Sequence, residues 1–425
     1  MQRLLPAAGL SLVLVLSAAV EAPKGSLRAG AARVDITPKD DAALPMSGYG
    51  GRTEGHQGIH DRLYARAIVV DDGSAQAAIV VCDLIGFSHE YWKEISARLS
   101  EATGIPVERI LLAGTHTHGA PALGPVTEDE QGGEQTAYIS ELEAKIQEAA
   151  RQAQANLQPA RMGFGSGRAS VNMNRRARMA EGDWWLGNNP EGPSDKTVAV
   201  VKFETLAGEP IAFLVNYAVH GTVLGPKNLQ ITADLPGAVS RWVEEHSGDK
   251  AVAIYTAGAS GDQDPIYRVG TDFGQQAILG RIVGEEVLRV AGSIRTSSAA
   301  RLSAAQRVVS CPGRKPEGGA QRRKDGNYAF QDADPVDIRL SVLMLNHIAV
   351  TGVSGEVLTL IGTRLKKESP FSATIVVTHA NGSSGYLPDD AAYDQASYEI
   401  VTTRVKPGCA EDGIVNTLLA MMDEL

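Results

Sequence analysis

Apolar residues fall in short runs separated by turn residues, and several runs come in pairs. Arg62–Val70 and Ala77–Asp83 flank Asp71-Asp72-Gly73-Ser74, which predicts a β-hairpin. Val198–Glu204 with Ile211–Val219 predicts a second, and Val336–Leu345 with Ile348–Val353 a third around Asn346-His347. Ile110–Ala113, Ala251–Ala257 and Ala373–Thr378 read as further strands. Helical spacing covers Glu90–Thr103, closed by Gly104, and Tyr138–Leu157, with Ile139, Leu142, Ile146 and Ala149 on one stripe. Ala238–His246 and Gln275–Ala291 also read as helices, and the polar, glycine-rich Pro312–Asp334 as a long mobile loop. No internal repeat or linker divides the chain. The mixture predicts an α/β class: layered, mixed, partly antiparallel sheets flanked by helices, in one large catalytic domain over residues 23–425. Hairpins exclude the regular alternation of a βα barrel.

Composition narrows the function. The 425 residues are 43% apolar, enough for a sizeable core, and carry a net charge of −10. That acidic balance, without any long basic run, excludes a nucleic-acid partner. No glycine-rich phosphate loop opens a helix after a strand, which argues against a nucleotide cofactor. Residues 1–22 read as a cleaved export signal: Met1-Gln2-Arg3, an apolar stretch, then Val20-Glu21-Ala22 before Pro23. The expected location is therefore secreted or periplasmic, with at most transient contact with a membrane surface. Of the three cysteines, Cys82 lies in an apolar run and reads as a buried thiol. Cys311 and Cys409 are free to pair in an oxidising compartment, a pairing the sequence leaves open.

Reactive side chains gather just past predicted strands. Ile110–Ala113 runs into Thr115-His116-Thr117-His118; residues two apart on extended backbone share a side, so both imidazoles can face one site. His220 ends the second hairpin, Asp262 and Asp264 follow Ala251–Ala257, Glu356 follows the third hairpin, and Tyr386 follows the last strand. Strand ends at a sheet rim are where α/β proteins commonly build sites. His56 and His60 offer a second grouping, for which loop polarity is an equal explanation, and His89, His246 and His347 read as surface or turn residues.

With these residues in place the chain resembles the neutral, non-lysosomal ceramidases. The similar blocks, in family order, are Asp35-Ile-Thr-Pro38, Gly48-Tyr49, Gly58-Ile-His60, Thr115-His-Thr-His118, Asn172-Met-Asn-Arg175, Gly261-Asp262, Gly355-Glu356, and Gly385-Tyr386 to Tyr398-Glu399. The resemblance implies a zinc ion held by His116, His220, Glu356 and Tyr386, with His118 facing the substrate amide and Arg175 and Tyr398 contacting substrate. It departs at Gly261-Asp-Gln-Asp-Pro265, where Asp264 stands for a family serine proposed as important for activity. That undermines a serine nucleophile, but not attack by zinc-activated water. The chain also ends soon after Tyr398, without the immunoglobulin-like C-terminal domain of longer members, which puts membrane docking and ceramide itself in doubt.

The expected activity is hydrolysis of the amide of ceramide or a related N-acyl lipid, with His118, Tyr398 and Asp264 as catalytic candidates. Two alternatives stand beside it: hydrolysis of another small, soluble amide or ester, and a binding protein that has lost turnover.

Overall fold

Apolar runs without polar alternation arise when both faces of a sheet are covered, and that is how this chain folds. The computed structural model describes residues 25–124 and 130–425; the export-signal expectation lies outside them. An eight-stranded sheet has the order Val252–Ala257, Pro210–Tyr217, Thr197–Thr205, Gln158–Arg168, Arg28–Asp35, Tyr64–Asp71, Gln76–Cys82, Ile110–Gly114. The pairs at its two ends are parallel and the inner pairs antiparallel. A four-stranded sheet (Leu302–Pro316, Phe330–Leu345, Ile348–Val353, Ala373–Val377) packs face to face upon it.

Side-chain alternation sorts residues between the layers. Ile68, Val70, Ile79, Val81 and Leu111 point into the core shared with Ile348, Val350, Ile375 and Val377. Their neighbours Ala67, Val69, Ala78, Val80 and Leu112 face the helices His89–Thr103 and Glu130–Ala155. Helices Asp234–Glu245 and Phe273–Ser293 cover the other half of the large sheet, and Thr359–Glu368 and Ala410–Glu424 the outer face of the small one. The result is a helix–sheet–sheet–helix stack, the layered α/β class expected.

One arrangement occurs three times: a hairpin, a helix, then a strand parallel to the hairpin's second strand. It comprises Tyr64–Asp71/Gln76–Cys82 with Ile110–Gly114, Thr197–Thr205/Pro210–Tyr217 with Val252–Ala257, and Phe330–Leu345/Ile348–Val353 with Ala373–Val377. Their parallel strands end together: Ala113 bridges Ala380, Gly114 N–H donates to His379 O at 3.3 Å, and Thr378 N–H to Ala257 O at 2.9 Å. No sequence repeat announces this, because only the backbone pattern recurs.

Two expectations need correction. Pro312–Asp334 is strand at both ends: Leu302–Pro316 and Phe330–Leu345 pair as a long ribbon shifted in register at Cys311/Gly313, with 317–329 connecting them. Its outer end carries exposed polar residues on both edges, so no apolar period marks it. Cys311 and Cys409 are disulfide-bonded, tying the ribbon to the last helix, and Cys82 is free and buried. The second helix begins at Glu130, eight residues before the expected start; its first turns are polar, and Gln135 Nε2 anchors them to Ala122 O at 2.9 Å.

Candidate metal centre

The three parallel-strand ends and the turns beside them supply the chemistry. The backbone leaves Ile110–Gly114 and enters the left-handed region at His116 (φ 63°), so the extended-strand argument for a shared side does not hold literally. The imidazoles converge all the same. His118 N–H donates to Gly221 O at 3.2 Å, laying the first histidine turn beside His220. Nε2 of His116 and His118 are 3.5 Å apart, and those two with His220 form a group whose ligand atoms lie within 4.8 Å of one another. Gly48 (φ 97°) makes room for His118: a Cβ there would fall 2.4 Å from its Cγ. Tyr49 packs edge-on against the same ring at 4.8 Å.

Glu356 and Tyr386 face each other as partners in the parallel pair Glu356–Val357/Tyr386–Leu387. Glu356 Oε2 lies 3.2 Å from His220 Nε2 and 3.6 Å from His116 Nε2. Burial and the Arg175 charge push the His220 imidazole below its usual value, and burial with the neighbouring histidines lowers His118 well below it. Burial alone would raise the Glu356 carboxyl, but its contacts with His116 and His220 hold it well below the usual carboxylate range.

The second nitrogens decide what this arrangement fits. His116 Nδ1 is 2.8 Å from Ile85 O, and His220 Nδ1 is 2.8 Å from Ser260 O and 3.1 Å from Gln263 O. A carbonyl only accepts, so each Nδ1 carries a proton and Nε2 is the ring nitrogen left to face the cluster. Without a proton at Nε2, two lone pairs and an ionised carboxylate converge on one point, an arrangement that a cation lying between them satisfies. The donor set therefore fits a divalent metal with nitrogen and oxygen ligands.

Behind the centre, Arg175 is 5% exposed. Its Nε donates to Glu399 at 2.7 Å, its Nη1 to Asp264 at 3.2 Å and its Nη2 to the Tyr386 hydroxyl at 2.9 Å. Asp264 also meets Arg268 Nη1 at 3.3 Å and Thr222 Oγ1 at 3.3 Å. Neither Arg175 nor Asp264 lines the adjoining cavity, whereas His116, His118, Glu356, Tyr386 and Tyr398 do. Burial would raise the Asp264 carboxyl, but the charges of Arg175, His220 and Arg268 hold it below its usual value. Asp262 is structural, accepting from Thr359 and Asn174.

The cavity measures 630 Å³. Its wall includes two histidines not expected there, His89 and His379. His379 stacks on His116 at 3.7 Å between ring centroids. A signal for it was present: Ala373–Val377 runs into Thr378-His379 just as Ile110–Gly114 runs into Thr115-His116, and both histidines are left-handed. His56 and His60 form no second centre. His56 Nδ1 accepts from Leu44 N–H at 3.0 Å, while His60 pairs with Asp61 and stacks on Phe273.

The stack of layers and a histidine–carboxylate cluster at converging strand ends define a layered α/β protein with a candidate metal centre. Residues 27–273, more than half of the chain, match the family described as neutral/alkaline non-lysosomal ceramidase, N-terminal, and the chain belongs to that family. Neutral ceramidase A of Dictyostelium discoideum is 28% identical over 266 residues, 56% of this chain and 36% of that protein. Neutral ceramidase of Pseudomonas aeruginosa is 26% identical over 268 residues, 60% of this chain and 39% of that protein. The alignments thus span little more than a third of these relatives. The crystal structure of the Pseudomonas aeruginosa neutral ceramidase superposes with a TM-score of 0.76 at 19% identity, covering 95% of this chain and 75% of that one, which shows a shared fold. Glu356, Tyr386 and Tyr398 lie beyond the family-matched residues, and their place at the centre rests on the geometry above.

Proposed function

We propose that this chain hydrolyses the amide bond of an N-acyl substrate of the ceramide class at a zinc ion held by His116, His220 and Glu356, with Tyr386 as fourth donor. The observation that carries this reading is the pair of Nδ1–carbonyl contacts that turn two Nε2 atoms onto the Glu356 carboxylate. Family membership supports amide hydrolysis, and ceramide is the substrate in the relatives' names. A zinc ion bound at such a donor set would lower the pKa of a water molecule towards about 7 and polarise a carbonyl.

The chain's own residues do the rest. His118, neutral and on the cavity wall, donates a hydrogen bond where charge develops on the carbonyl oxygen or carries a proton to the leaving nitrogen. The Tyr398 hydroxyl is the second donor; its ring packs on Tyr386 at 5.7 Å and Trp185 at 5.8 Å. Arg175 acts through Tyr386 rather than on substrate, and Asp264 and Glu399 hold Arg175. Asp264 is thus a positioning residue, which accounts for a carboxylate where the family has serine.

A second reading, a small and more polar amide, is favoured by the cavity. Its wall carries His89, Glu90, Asp337 and Arg404 beside the apolar Ile85, Phe87 and Val336. We place the protein outside the cytoplasm as one catalytic unit; the Cys311–Cys409 bond suits an oxidising compartment. Among the described residues no helix is long and apolar enough to cross a membrane. The test is hydrolysis of N-acyl sphingosine and of short soluble amides by zinc-loaded protein. Cleavage of either, abolished in His116→Ala together with bound metal, supports the reading; turnover retained in that variant refutes it.

A further inference from the structure

The three clustered histidines are not held alike. His116 and His220 are each fixed by a carbonyl at Nδ1, whereas His118 Nδ1 is buried with no hydrogen-bond partner among the described residues. The aim of the His118 ring is therefore set by its main chain and by packing. The segment Gly48–Arg52, whose turn is closed by Arg52 N–H donating to Tyr49 O at 2.9 Å, supplies both. Gly48 leaves room for the ring, and Tyr49 packs on its edge while its own hydroxyl donates to Leu224 O at 2.8 Å. Arg52 takes the main chain. Its Nη2 donates to His118 O at 2.7 Å and also to Ser47 O, and its Nη1 donates to Asn228 O at 3.1 Å. Arg52 is 9% exposed, its Nε is buried without a partner, and every partner that its guanidinium has among the described residues is a carbonyl oxygen. Burying that charge without a carboxylate costs stability, which stacking over Tyr49 at 5.2 Å offsets only in part. What the guanidinium supplies is a rigid plane of N–H donors that reaches three separate segments at once, which no neutral side chain carries.

We propose that Arg52 is a positioning residue that fixes the aim of the His118 imidazole into the cavity. The inference rests on the amide-hydrolase reading and adds to it a residue behind the cavity wall. Arg52 does not line that cavity, whereas His118 does, so Arg52 meets no substrate and acts through the His118 carbonyl. His116 and His220 keep their own carbonyl supports, and Glu356 is held in its pairing with Tyr386. Loss of Arg52 therefore displaces one ring and leaves the three main zinc donors in place. A displacement of about 1 Å in a group that acts on the reacting bond lowers turnover by about 100-fold.

The test is a double-mutant cycle on zinc-loaded protein, with whichever amide the native chain cleaves. Arg52→Met is expected to lower kcat by about 10- to 100-fold, with KM and bound zinc unchanged. In a His118→Ala background the same replacement changes kcat by less than about two-fold, because the ring it acts through is gone. Arg52→Lys keeps the charge and the His118 contact but not all three carbonyls, so it recovers part of the loss; it also carries the cycle if Arg52→Met does not fold. An equal fall in both backgrounds overturns the proposal, as does a fall accompanied by loss of zinc or an unchanged kcat in Arg52→Met. If turnover is too slow to follow in native protein or in His118→Ala, imidazole ¹H–¹⁵N spectra decide. Displaced His118 resonances in Arg52→Met, with those of His116 and His220 unmoved, uphold the positioning even where the hydrolase reading fails; unmoved His118 resonances overturn it.

Discussion

Replacing Asp264 with asparagine keeps the side chain's shape and removes its charge. Asp264 lies 3.2 Å from Arg175 Nη1 and 3.3 Å from Arg268 Nη1. At an effective dielectric constant of about 20, each contact carries about 5 kcal/mol of gross attraction, much of it cancelled by desolvation. Removing one partner of a buried pair costs about 3–5 kcal/mol when the other charge is stranded. Arg175 retains Glu399 at 2.7 Å and is not stranded, so the lower end, about 3 kcal/mol, is expected. The loosened guanidinium also loses its hold on the Tyr386 hydroxyl, and turnover should fall about 10- to 100-fold, equivalent to about 1.4–2.8 kcal/mol. Urea unfolding followed by circular dichroism measures the first quantity, and initial rates on zinc-loaded protein the second. A stability change below about 0.5 kcal/mol, the usual effect of a surface substitution, would refute the ion-pair role. A loss beyond about 10⁴-fold in turnover at unchanged stability and metal content would instead place Asp264 in contact with substrate, since that scale belongs to groups acting in the chemistry itself.

Other perturbations reach different parts of the structure. Cys409→Ser opens a bond closing a 98-residue separation and should lower unfolding stability by about 2–4 kcal/mol, with reductant producing the same shift in native protein. Gly48→Ala brings a Cβ against the His118 ring, so turnover should fall while zinc bound through His116 and His220 stays; full activity would contradict the close approach. Burial alone would raise the Asp61 carboxyl, but His60, Arg241 and Thr232 hold it below its usual value. A depressed carboxyl stabilises the fold above the unfolded value of about 3.9 and loses that contribution as pH falls through the folded one. Asp61→Asn should therefore be less stable than native at neutral pH, and the gap in urea midpoint should close on acidification; a gap independent of pH would show that the charge contributes nothing.

Most strands and the main histidines were legible because the relevant signal is local. A run such as Ile110–Ala113 has no polar residue on either face, and the side chains that follow it must lie at a sheet rim. The third hairpin was legible from Asn346-His347, and the helix end at Gly104 from its left-handed cap (φ 71°). What escaped depends on partners distant in sequence. Gln158–Arg168 carries three glycines and exposed polar residues, and reads as a strand only once Thr197–Thr205 is seen beside it. The ribbon through Pro312–Asp334 is held by pairing and a disulfide rather than by apolar alternation. Arg175 was singled out as a residue to meet substrate; that it turns inward to Tyr386 depends on Glu399, 224 residues away. His379 was missed although its approach, an apolar strand into Thr-His, repeats that of His116.

The convergence of His116, His220 and Glu356 on one cation is tested most directly by zinc-edge anomalous diffraction from crystals grown with zinc, supported by elemental analysis of the dissolved protein. One strong peak per chain is expected within about 2.0–2.2 Å of both Nε2 atoms and a Glu356 carboxylate oxygen, absent in His220→Ala. A protein that takes up no zinc, or holds it only away from these three side chains, would contradict the proposed centre and with it the hydrolytic reading.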